Sequence, residues 1–105
     1  SIENGELLAY TSTLTWDEVV WIVRKSMGRD QAVSQGQKLL GFSNLKWIVA
    51  DENILSRAQT LMNKYILHPR DSIHVASAID KKIYNVISDD KDLDQVKEIK
   101  RIPLS

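Results

Sequence analysis

"PRDSIHVASAIDKKIYNVISDDKDLD", residues 69–94, holds a helix, a strand and a burst of acid in one unbroken run. Pro69 opens the helix at the first position, where its missing N–H leaves no hydrogen bond unmade. "IYNVIS", 83–88, is a short apolar strand, and Asp89, Asp90, Asp92 and Asp94 follow it at once. A helix that leads directly into a strand runs antiparallel to it. Asp71, in the helix's first turn, therefore belongs to the same end of the sheet as the acids that leave the strand.

The rest of the chain extends this pattern. "LLAYTS", 7–12, and "KWIVA", 46–50, are further strands, and "IKRIP", 99–103, is a fourth. "TWDEVVWIVRKSMG" sets Trp16, Val19, Val20, Val23 and Met27 at helical spacing, with Gly28 as a stop. A weaker helix covers about 30–40 through Ala32, Val33, Gly36, Leu39 and Leu40. From Asp51, Ile54, Leu55, Ala58, Leu61, Met62 and Tyr65 recur at i, i+4, i+7 and i+11. Short strands, apolar on both faces and separated by helices, predict an α/β fold with a parallel sheet covered on each side. No repeat or linker interrupts residues 1–105, so a single domain is expected.

Composition narrows the function classes. Hydrophobic residues make up 43% of the chain, and 14 basic residues balance 14 acidic ones. Overall charge therefore supplies no pull towards nucleic acid or membrane; such binding needs a local patch. The absence of cysteine excludes a disulfide scaffold and thiolate zinc sites, and fits a reducing cytoplasm. No apolar run approaches the ~18 residues of a membrane span. The opening "SIENGE" lacks the pattern of a secretory leader.

The acids fall in a pattern. Glu18 lies in the first turn of the helix after strand 7–12, Asp51 begins the helix after "KWIVA", and Asp90 and Asp92 follow strand 83–88. With Asp71, all are expected at the sheet's carboxyl edge, where open α/β sheets bind ligands. Each also has a structural reading. Thr15-x-x-Glu18 is a capping-box pattern, Asp51 is an ordinary N-cap, Asp71 complements a helix dipole, and Ser88 or Asp89 could cap a following helix. One acid at a helix start is worth about 0.3–1 kcal/mol. Two ionised carboxylates about 5 Å apart repel by roughly 3 kcal/mol at an effective dielectric of 20. If Glu18, Asp71 and Asp90 converge, capping cannot offset their repulsion. A divalent cation could, and oxygen-only ligands favour magnesium or manganese over zinc.

The remaining candidates carry less chemistry. His74 shares a helix face with Asp71 but sits among Ile73, Val75 and Ala76, as a hydrogen-bonded core histidine would. His68, before Pro69, is a turn or cap residue. Of Trp16, Trp21 and Trp47, at least two are expected in the core. Lys81, Lys82, Lys97, Lys100 and Arg101 form a mildly basic, solvated region. Asp89 reads as a turn residue and Asp94 as a solvated charge.

Three stretches in this order, "TSTLTWDEVVWIVRK", "ILHPRDSIHVASAI" and "YNVISDDKDL", resemble the PIN-domain family, specifically its VapC-type toxin ribonucleases. The resemblance implies a three-layer α/β domain acting as a Mg2+- or Mn2+-dependent endoribonuclease. Many such proteins are toxins paired with an antitoxin; others mature RNA. By that resemblance Glu18, Asp71 and Asp90 are catalytic and hold the metal, with Asp92 as an auxiliary ligand. Ser88 supports them, keeping the hydroxyl of the family's usual threonine. Leu93 stands where the family has Phe, and Asp51 is structural.

One departure matters. The family begins with a central strand ending in an aspartate, and "SIENGELLAY" matches only the segment before the second strand. The expectation is an N-terminally truncated domain of impaired activity, its open seam filled by the missing segment, by a homodimer or by a higher oligomer. The alternative is a non-catalytic module that binds protein or RNA on the same scaffold.

Overall fold

Ser12 and Gly28 set the geometry of the first stretch in the computed structural model, which describes residues 9–104. Contact density divides the chain into two units, Ser1–Ile48 and Val49–Ser105. The first runs β1 (Ala9–Ser12), α1 (Leu14–Met27), α2 (Arg29–Leu40) and β2 (Leu45–Ile48). β1 and β2 pair in parallel, from Ala9 opposite Leu45 to Ser12 opposite Ile48. Residues 7 and 8 of the expected first strand lie outside the described residues.

Helix α1 starts two residues earlier than the capping-box reading requires. The Leu14 N–H donates to the Ser12 hydroxyl at 3.2 Å, and the Thr15 hydroxyl pairs with that of Thr11 at 2.6 Å. Thr15 is thus already helical, and Glu18 lies beyond the first turn, where Asp17 is the acid. Gly28 ends α1 and opens α2 at φ 91°, ψ 175°, a region essentially reserved for glycine. At Gly36 the two helices come close: a Cβ there would lie 3.0 Å from Val20 Cγ2 and 3.1 Å from Trp16 Nε1.

Among the described residues the buried set of this unit is small: Ser12, Ala32, Gly36 and Ile48. The expectation of two core tryptophans fails, since Trp16 is 41% and Trp21 52% exposed and Trp47 is half-buried. α2 is the physical reason. It buries only the small Ala32 and Gly36, while its larger Val33 and Leu40 line an open hollow with Trp16 and stay more than half exposed.

The second unit runs α3 (Glu52–Lys64), α4 (Pro69–Asp80), β3 (Asn85–Ile87), a 3-10 helix (Lys91–Gln95) and β4 (Lys100–Ile102). Asp51 caps α3 as expected, its carboxylate accepting the Ile54 N–H at 3.0 Å. Ile54, Ala58, Leu61 and Tyr65 form the buried stripe. Facing them, α4 buries Ser72, Val75, Ala76 and Ser77, small side chains that let the helices approach. Both hydroxyls are satisfied within the helix: Ser72 donates to the His68 carbonyl and Ser77 to the Ile73 carbonyl. Leu67, Leu93 and Val96 complete the core.

α4 ends in a Schellman arrangement. The Ile83 N–H donates to the Ala78 carbonyl at 2.8 Å and the Lys82 N–H to Ile79 at 2.9 Å. Lys82 takes the left-handed position, φ 57°, that glycine usually fills. Ile83 is therefore used in closing the helix, so β3 is shorter than the stretch 83–88 suggested. β3 and β4 pair in parallel, Asn85 opposite Lys100 and Ile87 opposite Ile102. Sequence alternation suggests one sheet. Among the described residues the strands form two separate two-stranded ladders, β1–β2 and β3–β4.

Candidate functional site

The antiparallel return of α4 along β3 places Asp71, in the first turn of the helix, beside the acids that leave the strand. Asp71 is half-buried and lies within hydrogen-bonding reach of the Asp90 carboxylate. Its pKa is raised, first by burial, then by the Asp90 charge and by hydrogen bonding to Asp90. The His74 and His68 imidazoles oppose the shift, so both lie close enough for Asp71 to feel them.

Local structure fixes Asp90. The Ser88 hydroxyl accepts the Asp90 N–H at 3.0 Å, and Asp90 Oδ1 accepts the Asp92 N–H at 2.9 Å. Asp90, rather than Ser88 or Asp89, is thus the N-cap of the 3-10 helix. Asp89 instead receives the Leu104 N–H at 2.9 Å. Asp92 lies exposed in the first turn of the 3-10 helix. Glu18 belongs to the first unit, half-buried on α1. Among the described residues the second unit brings Asp71 and Asp90 together as a pair. No group of three His, Cys, Asp or Glu set to hold a metal ion is found among them.

Two residues read as solvated charges are paired with each other. Arg101 exposes only 14% of its side chain, and its Nε and Nη2 grip both oxygens of Asp94 at 2.7 and 3.2 Å. Its Nη1 donates to the Ser88 carbonyl at 3.0 Å. That pairing holds the Asp94 carboxyl below its usual range. Strand alternation could have found the inward direction of Arg101, the half-buried middle residue of β4 opposite half-buried Val86, though not its partners.

The fold and this acid pair can be set against known proteins. The PIN domain family model matches residues 2–99. The chain belongs to the PIN domain family. Solved structures agree on the fold. A chain of VapBC2 from Rickettsia felis, crystallised with a DNA fragment from its promoter, superposes with a TM-score of 0.73 at 16% identity, over 91% of this chain and 74% of that one. DNA-bound VapBC from Salmonella typhimurium gives 0.69 at 13% identity, over 90% and 74%. A toxin–antitoxin complex from Klebsiella pneumoniae gives 0.65 at 21% identity, over 85% and 69%. Comparison with curated protein sequences finds no match. The parallel strands and flanking helices are those of a PIN domain, reached here at identities where only the fold is shared.

Proposed function

We propose that the chain is the body of a metal-dependent endoribonuclease of PIN toxin type, with Asp71 and Asp90 as its principal metal ligands. The Asp71–Asp90 pair carries this reading. Burial and mutual repulsion work against two ionised carboxylates held this close, and the fold keeps them together nonetheless. The donor set fits a hard cation. Magnesium is commonly held through one or two carboxylates, the remaining positions going to water and substrate phosphate. When bound, the metal would lower the pKa of a water molecule and stabilise charge on the phosphate under attack.

The chain's own residues prepare that site. Ser88 orients the Asp90 backbone, and the Asp92 N–H fixes one Asp90 oxygen. Glu18 as a third ligand and Asp92 as an auxiliary one belong to the same proposal. So do single-stranded RNA as substrate, an antitoxin-like protein partner, assembly as a homodimer or higher oligomer, and a cytoplasmic setting. The kinship with chains from toxin–antitoxin complexes supports the partner.

A second reading, a non-catalytic PIN module, is favoured by the pair rather than triad of acids among the described residues. Calorimetric titration with Mn2+ separates the two. The nuclease reading expects one saturable site, lost in Asp71→Asn and Asp90→Asn, and Mg2+-dependent RNA cleavage lost in the same variants. Binding no tighter than diffuse surface association supports the module, and cleavage that survives both substitutions counts against the nuclease reading.

A further inference from the structure

We infer that Arg101 is the positioning residue of this site, acting through the loop that carries Asp90. The inference rests on the nuclease reading for its consequence, and on the loop's geometry for its substance. Seven residues, Ser88 to Asp94, lead from β3 into the 3-10 helix, and Asp90 lies between the ends. One guanidinium holds both ends. Nη1 binds the Ser88 carbonyl at 3.0 Å, while Nε and Nη2 bind the two Asp94 oxygens at 2.7 and 3.2 Å.

The hand that holds the loop is itself held. Arg101 is the central residue of β4, its backbone in register with Val86 of β3. The Ser88 N–H donates to the Ile102 carbonyl at 3.0 Å, so the ladder continues into the first residue of the loop. A tether across both ends removes the freedom of the intervening segment to hinge. Without it, the Ser88 and Asp92 contacts of Asp90 are all local and can move as a body.

Only arginine satisfies this geometry. Its planar fork presents several donors in fixed directions, whereas a lysine ammonium is a single point on a flexible stem. A lysine in its place would keep the charge, and could meet Asp94 or Ser88, but not both oxygens of one and the carbonyl of the other. The Asp89 and Asp90 carboxylates also lie near enough to favour the charged guanidinium, so the same group moderates the negative potential of the loop.

The test compares Arg101→Lys and Arg101→Gln with the unaltered chain by amide hydrogen exchange and by Mn2+ calorimetry. Outer-shell partners of metal ligands typically contribute about 10–100-fold to metal affinity, and about 10-fold weaker Mn2+ binding is expected in Arg101→Lys. Exchange at the Asp90 and Asp92 amides should rise at least 10-fold while the Val75 and Ala76 amides keep their protection. Unchanged Asp92 exchange overturns the inference, as does wild-type Mn2+ affinity in both variants. A uniform rise that includes α4 also overturns it, by reducing Arg101 to a general stabiliser. If the unaltered chain binds no Mn2+, the nuclease reading fails, and amide exchange still decides whether Arg101 holds the loop.

Discussion

α1 and α3 are similar in length, 14 and 13 residues, and α1 is the more apolar, yet α3 buries Ile54, Ala58 and Leu61 while α1 buries nothing fully. The difference lies in what each helix faces. α3 meets α4, whose Ser72, Val75 and Ala76 are small and fully enclosed. α1 meets the polar α2, where contact centres on Gly36. Apolar content makes burial favourable, but a matching partner surface makes it possible.

The sharpest way to break this comparison uses two isoleucines. Ile54→Ala, at a position 2% exposed, is expected to cost about 2–5 kcal/mol, measured by urea unfolding. Ile22→Ala, 63% exposed on α1, is expected to stay within about 0.5 kcal/mol. Similar losses at both positions would mean that α1 is covered in solution.

Next in size come the two left-handed turns, one in each unit. Gly28→Ala meets no neighbouring atom within 4 Å, so any loss is backbone strain, expected at about 1–3 kcal/mol by thermal unfolding. Lys82→Gly works in the opposite direction. It relieves about 1 kcal/mol of left-handed strain and returns much of it as unfolded-state entropy, leaving a gain of roughly 0.5 kcal/mol or less. A loss at Lys82→Gly would show that the lysine side chain itself holds the turn.

These contrasts mark how far the sequence could be read. Among the described residues the helices and strands were legible because periodicity, Pro69, Asp51 and Gly28 act locally. The stripe on α3 was legible too, although Leu55 at 48% and Met62 at 39% exposed lie off it. Burial on α1 was not legible, because its spacing shows a stripe without showing what faces it. Asp71 and Asp90 could be placed at one end of a sheet from the helix-to-strand order alone. The Arg101 clamp could not. Strand alternation turns Arg101 inward, but its partners lie 7 and 13 residues away in the chain, where no local periodicity reaches them. Asp94 was misread for the same reason.

The smallest effects belong to Asp71 and Asp94, whose pKa values move in opposite directions within the second unit. Asp71 is raised, chiefly by burial and Asp90, so the folded state binds more protons than the unfolded one between its ordinary value of 3.8 and the raised value. Stability must fall as pH rises through that window and stay lower above it. Asp71→Asn is therefore expected to raise the melting temperature at pH 7 and to lose that gain below pH 3.8. Asp94 is lowered by its hydrogen bonds to Arg101, so its contribution is present above 3.8 and vanishes as pH falls through the lowered value. Asp94→Asn should accordingly lower the melting temperature at pH 7 and change little in acid. On the nuclease reading, added Mn2+ should reverse only the first comparison, since a cation held by Asp71 and Asp90 would stabilise the unaltered chain and give nothing to Asp71→Asn. An Asp71→Asn variant that melts lower than the unaltered chain at pH 7 without metal would show that its carboxylate supports the fold, and that the acid pair carries no strain for a cation to relieve.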